Sequence, residues 1–278
     1  MKLIVLLVVL ALRRVEIAWP MFLREPNALR QSLLALAPRG GSDGVAWLLV
    51  VLVPALVVGL LMVWLHEFLW GLPGWIAGGV LLLWMLGTDS EFRQLDELVV
   101  RARMNDEGEF AALAEQQFDM QGAPGDDNYL QRLCERISGH EAGGLFATLF
   151  FLVTLGYGAA FLYVLNRWLA HSDYPGNQWA RVCDTAFYWI PSRLLVLALA
   201  LGGDFRRVMD AVDERLWRLD DSHDLFADAL LAALDADNDE VEQDLSSAVV
   251  LLEDLQSLLL RVLAIWLIFA ALWVLLVG

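Results

Sequence analysis

Five apolar stretches constrain this chain more than any other feature: 45–65, 74–87, 143–168, 187–202 and 258–277. The hydrocarbon core of a bilayer is about 30 Å thick, so a helix needs roughly 20 mostly apolar residues to cross it. Residues 45–65, 143–165 and 258–277 reach that length almost without interruption, and the other two stretches are shorter. With 58% hydrophobic residues and a mean hydropathy of +0.54, the chain is more apolar than soluble domains usually are. The pattern predicts an all-α integral membrane protein with four to five hydrophobic membrane segments and helical cytoplasmic loops.

Two of the stretches carry interruptions. Gly156-Tyr157-Gly158 divides 143–168, and paired glycines weaken a helix, so this stretch is either one span or a re-entrant helical hairpin. Residues 187–202 contain Pro191 and Arg193, and a charge at membrane depth faces protein or water. The N-terminus has a ten-residue apolar run between Lys2 and Arg13-Arg14, without a small-x-small cleavage site. It reads as a short amphipathic or half-inserted helix over 1–19, not as a removed leader. The organisation that follows is an interfacial region over 1–44, a first helix pair over 45–87, a helical loop over 88–142, a second membrane block over 143–202, an acidic helical segment over 203–257 and a last membrane helix over 258–278.

Basic residues flanking spans stay cytoplasmic. Arg13, Arg14, Arg24, Arg30 and Arg39 precede the first span. Arg93, Arg101, Arg103, Arg132 and Arg136 mark the loop 88–142, and Arg206, Arg207, Arg215 and Arg218 follow residue 202. The short links carry almost none. This places the N-terminus and both larger loops on the cytoplasmic side. Many of the 12 Trp stand near segment ends, among them Trp47, Trp64, Trp75 and Trp168, where indole favours the headgroup level.

The net charge of −16 is concentrated. Residues 203–257 hold 16 acids against 4 Arg, a net of −12, which excludes nucleic acid as a partner. Within 88–142, Phe92, Leu95, Leu98, Val99 and Ala102 recur at helical spacing, as do Phe110, Leu113, Ala114 and Phe118. Asn105-Asp106 marks a break between the two helices. Asp126-Asp127-Asn128 is placed to cap a third, with Tyr129, Leu130, Leu133 and Ile137 on its apolar side. Phe205, Val208, Val212, Leu216 and Leu219 form a stripe that is expected to dock on the 88–142 helices.

Few residues offer chemistry. Asp235-Ala-Asp237-Asn-Asp239 opens like a calcium loop, but Glu240 and Ser246 stand where that loop needs Gly and a carboxylate. Asp235, Asp237, Asp239 and Glu240 are therefore an acidic patch for a protein partner or a cation, not a metal site. Asp220-Asp221-Ser-His223-Asp224 reads as a capping turn. Cys134 and Cys183 stand in no metal or disulfide spacing. No catalytic set, resident metal or cofactor is expected. Asp184 precedes Pro191 by seven residues and Arg193 by nine, in an apolar context. Arg193 needs a carboxylate, backbone carbonyls or a lipid phosphate there, and Asp184 is its expected partner if the chain bends at Pro191. His140-Glu141, at the entry to a span, and Asn166 complete the candidate residues.

Several of these segments together resemble the membrane family that includes AmpE, a regulatory protein of β-lactamase induction. The wider family includes a cobalamin-pathway synthase. The similarity rests on the short N-terminal helix before a close pair of spans, the Arg-containing loop 91–118, the run from His140 to Ala160, and Trp189-Ile-Pro-Ser-Arg193-Leu194. The synthase's Gly-, Pro- and Asn-rich tail and its Asn-Thr-x-Asp run are missing. Asn166, followed by Arg167-Trp168, stands where that run is expected, so the synthase's catalytic groups do not carry over. The resemblance implies a sensor or transducer in cell-wall signalling without catalysis of its own. A degenerate synthase or transferase is the alternative. The bilayer is the first partner, and a homo-oligomer stays open.

Overall fold

The computed structural model describes residues 2–14, 27–37, 41–67, 72–87, 91–126, 128–218, 222–234 and 245–277. Twelve helices follow in order among the described residues: α1 Lys2–Arg14, α2 Asn27–Leu34, α3 Asp43–Glu67, α4 Leu72–Leu86, α5 Glu91–Arg103, α6 Glu107–Phe118, α7 Tyr129–Thr154, α8 Tyr157–Ala170, α9 Asn177–Gly202, α10 Phe205–Val212, α11 Ser222–Leu234 and α12 Leu245–Val277. No strand occurs among them. Helices α3, α7, α9 and α12 are long and apolar enough to cross a membrane, while α1 and α4 are apolar but shorter. The chain divides into two compact units. Unit 1 comprises Met1–Ser90, Ala147–Tyr188 and Ala270–Gly278, and unit 2 comprises Glu91–Phe146 and Trp189–Phe269.

In unit 1, α1 lays Leu6 and Val9 into the core, and Val5 and Val9 face Gly79 of α4. Arg13 is only 6% exposed. Its Nε donates to the Gly87 carbonyl and its Nη2 to the Leu86 carbonyl, both at 3.0 Å. The last carbonyls of a helix have no partner of their own and carry partial negative charge, so this guanidinium caps α4. Helix α3 contains a π-helical turn at Leu48–Leu52. Pro54 lies just beyond it, lacking an amide hydrogen and crowding the carbonyl four residues back, and a wider turn relieves that crowding. Further along, Leu56, Val57, Leu60 and Val63 of α3 point outward, with Leu60 71% exposed. Water penalises such a row, whereas acyl chains are as apolar as leucine itself.

Residues 143–168 do not form one helix. α7 ends at Thr154, and Gly156 takes φ +96° and starts α8. That backbone region is open to glycine at little cost. The chain folds back there, so Phe151 stacks on Tyr163 with ring centroids 5.1 Å apart. Of the two shapes left open by the sequence, the helical hairpin is the one formed. α8 then crosses α3 where both have glycine: a Cβ on Gly158 would stand 3.0 Å from the Gly59 Cα and 3.3 Å from the Ala55 carbonyl oxygen.

Unit 2 joins amphipathic helices to the apolar second half of α9 and most of α12. Phe92, Leu95, Leu98, Val99 and Ala102 of α5 are buried, as are Phe110, Ala114 and Phe118 of α6 and Tyr129, Leu130, Leu133 and Ile137 of α7. Asn105 adopts φ +56° between α5 and α6, and Asp106 caps α6 by accepting from the Glu109 amide at 3.1 Å. Asp126 behaves differently from expectation. Its carboxylate accepts from the Ala123 amide at 2.9 Å, closing the preceding turn. Asp204 caps α10 by accepting from the amides of Arg206 and Arg207. The docking expected for this stripe is corrected. Val208 and Val212 are buried, but α10 packs on α11, which in turn packs on the first part of α7. Phe205 is left 53% exposed, and Leu219 lies outside the described residues.

Two sequence boundaries also move. The stretch 187–202 is the second half of a 26-residue helix that begins at Asn177 and runs through Pro191. The last helix begins at Leu245, so no boundary falls at 257: Glu253 and Asp254 are interior to α12. Its early turns are fixed by an ion pair from Arg103 to Glu253 and by Gln256 donating to Asp96 at 2.6 Å. The charges stand on one face, so the helix continues beneath them.

Candidate functional site

Asn166 is fully buried on α8. In an apolar helix an amide side chain is retained only if its polar atoms are satisfied, and here they are. Its Oδ1 accepts from Trp47 Nε1 at 2.8 Å, and its Nδ2 donates to the Ala180 carbonyl at 3.0 Å. One side chain thus pins α3, α8 and α9 together. Trp47 is brought into range by the loop ahead of α9. The Gly176 amide donates to Asp43 Oδ1 at 3.2 Å, and a Cβ on Gly176 would stand 3.0 Å from the Trp47 nitrogen. The half-buried Trp47 thus has a partner inside the protein. Trp168 likewise turns inward, meeting Trp84 edge-on at 5.0 Å with Arg30 over its ring at 5.6 Å.

One turn beyond Ala180 on α9 stands Asp184, 5% exposed. Near it lies the buried phenol of Tyr163, which in turn bonds the guanidinium of Arg167. Tyr163, Asn166 and Arg167 share one face of α8 through the spacing of three and four residues. The polar face of the α8–α9 connection is closed by Arg181 Nε donating to the Ala170 carbonyl at 3.1 Å and Asn177 donating to the Ser172 carbonyl at 3.0 Å. A carboxylate, a phenol and a guanidinium in apolar surroundings can share a proton or hold a charge that lipid would reject.

The structure thus brings together two of the residues singled out from sequence, Asn166 and Asp184. Arg193 belongs to unit 2, where its described partners are carbonyls: Nε to Leu216 at 3.0 Å, Nη1 to Trp189 at 3.3 Å, and Nη2 to Arg218. Nη1 also donates to Ser192 Oγ at 2.9 Å, and the guanidinium lies 4.9 Å from the Trp189 ring. The helix runs through Pro191, and Ser192 and Arg193 both donate to the Trp189 carbonyl close to the proline. Side-chain donors of this kind let proline persist inside an apolar helix.

His140 and Glu141 close the first part of α7, and their side chains lie outside the described residues, as do Asp235, Asp237, Asp239 and Glu240. Among the described residues no group of three His, Cys, Asp or Glu side chains is arranged to hold a metal ion. Tyr163, Arg167 and Trp47 escaped the sequence reading as site residues. Arg167 was the available signal, a charge inside an apolar helix with Tyr163 one turn before it. Comparison with family models, with curated proteins and with solved structures returned no match.

Proposed function

We propose that the chain is a multi-pass protein of a bacterial inner membrane, with its N-terminus in the cytoplasm, that acts as a regulatory transducer of the AmpE type. The observation that carries this reading is α12. At 33 residues it is about 50 Å long, against a hydrocarbon core of about 30 Å. Its apolar end suits the core. The remaining 20 Å or so bears Glu253 and Gln256, which grip Arg103 and Asp96 of α5. A tilt or shift of α12 in the membrane is then felt by the charged bundle. A transducer needs such a two-ended element, whose equilibrium a signal on one side biases for a partner on the other. The 16 acids between 203 and 257 offer a basic protein partner or a cation its surface.

The test is a charge reversal. In cells carrying an inducible β-lactamase, Arg103→Glu should abolish inducibility, and Arg103→Glu combined with Glu253→Arg should restore it. Full induction by the single variant would remove the reading. Cysteine labelling near Gly125 from outside intact spheroplasts would remove the orientation.

A second reading, a membrane-embedded transferase, draws on the cluster of Tyr163, Arg167 and Asp184. It is separable from the first. Asp184→Asn would then abolish turnover at unchanged thermal stability, whereas a structural role for Asp184 lowers stability and spares the signal at permissive temperature.

A further inference from the structure

Unit 1 contains a cavity of about 510 Å³ that none of the preceding roles uses. That volume falls within the range of small-molecule sites, roughly 300–1,000 Å³. Glycines make the room: Gly59, Gly74, Gly156 and Gly158 all line it. The walls are otherwise apolar, including Met62, Val63 and Leu155, and the last two are themselves exposed, so the cavity opens outward. Its polar complement is small. It consists of Glu67, His66, Trp75 and Tyr157, and the lining holds neither Lys nor Arg.

Three features of this lining favour a cation. Glu67 supplies a carboxylate. Trp75 and Tyr157 supply ring faces, which attract ammonium groups within about 6 Å. Met62, Val63, His66 and Glu67 form the last turns of α3, the end of a helix that carries partial negative charge. An anionic head would meet all three as repulsion. The apolar walls, in turn, suit an alkyl tail. We propose that this cavity binds an amphiphile with an ammonium head on an alkyl tail. The head is held between Glu67 and the two rings, and the tail runs along Met62 and Leu155. Such a molecule is supplied either by an amine-headed bilayer lipid or by a free amphiphilic amine. The site does not depend on the regulatory reading above.

The experiment uses the full chain purified into nanodiscs and a dodecylammonium probe with a diazirine in its tail, irradiated and mapped by peptide mass spectrometry. Adducts are expected on Met62, Val63 or Leu155. Glu67→Gln should reduce them about tenfold, and a dodecanoate probe with the same tail should label the parent about as weakly. Leu155→Trp, which fills the cavity without changing charge, should also suppress labelling. Equal labelling by the two head groups overturns the proposal, as does full labelling of Glu67→Gln or adducts confined to other regions. Phosphatidylethanolamine nanodiscs that compete, where phosphatidylglycerol nanodiscs do not, identify the occupant as a lipid. Labelling equal in both identifies a free amphiphile.

Discussion

In unit 1, α3 and α8 meet backbone to backbone at Gly59 and Gly158, and the buried amide of Asn166 ties them to α9. In unit 2, α5 joins α12 through Arg103–Glu253 and Gln256–Asp96, and α6 through Arg101–Glu109 and Gln117–Glu97. The first set of contacts is close, apolar and hidden; the second is charged and half-open. Between apolar helices surrounded by lipid the hydrophobic effect gives no net drive to associate, so close approach of small residues and buried hydrogen bonds must supply it. Between amphipathic helices in water, burial of Leu95, Leu98, Phe110 and Leu133 supplies the drive, and the ion pairs set register. The contacts differ as the helices do: small residues let α3 and α8 approach closely, and polar faces let α5 pair its charges with α6 and α12.

Gly158→Leu should break the comparison hardest. Its side chain has no place to go at the α3 crossing, and overpacking of this kind costs about 3 kcal/mol. Aggregation or a lost monodisperse peak on size exclusion is the expected readout, and a stable variant would mean that the crossing is not close. Arg193→Leu comes next. It removes three carbonyl contacts from a half-buried guanidinium, at about 2 kcal/mol, read as a lower midpoint in thermal unfolding. Asn166→Leu leaves the Trp47 indole and the Ala180 carbonyl without their described partner. Interhelical hydrogen bonds among membrane helices average near 0.6 kcal/mol and reach about 1.7, so about 1 kcal/mol is expected, with a shift in the Trp47 fluorescence. Glu253→Gln should be mildest, about 0.5 kcal/mol, because the pair is more than two-fifths exposed on both sides. Raising salt should weaken the parent's Arg103–Glu253 pair by the same route and leave the Asn166 contacts untouched. Equal salt sensitivity of the two would erase the distinction between the units.

Periodicity made unit 2 legible. The α5, α6 and early α7 stripes were read residue by residue, because an amphipathic helix in water writes its buried face into the sequence at every third and fourth position. Unit 1 was legible only in outline. Where every face is apolar, composition reveals that a helix exists but not what it touches, so the Gly59–Gly158 crossing and the inward turn of Trp47 and Trp168 left no periodic trace. Helix ends were misread for a related reason: apolar runs mark the part of α9 and α12 that is hydrophobic, while the backbone continues past it to Asn177 and Leu245. At the site, Asn166 and Asp184 stood out as polar residues in apolar surroundings. Arg193 stood out equally, yet its described acceptors are main-chain carbonyls, which no sequence pattern announces.

The capping of α4 by Arg13 has a consequence for how the molecule is made. Helix α1 is translated before α4, and its arginine bonds to a carbonyl 74 residues downstream. At roughly 5–20 residues per second, some 4–15 s pass before the acceptor has been synthesised. During that interval the guanidinium lacks these two carbonyls, so the capped arrangement of α1 on α4 forms only once residues 86 and 87 have been made. α1 thus takes its place no earlier than α4.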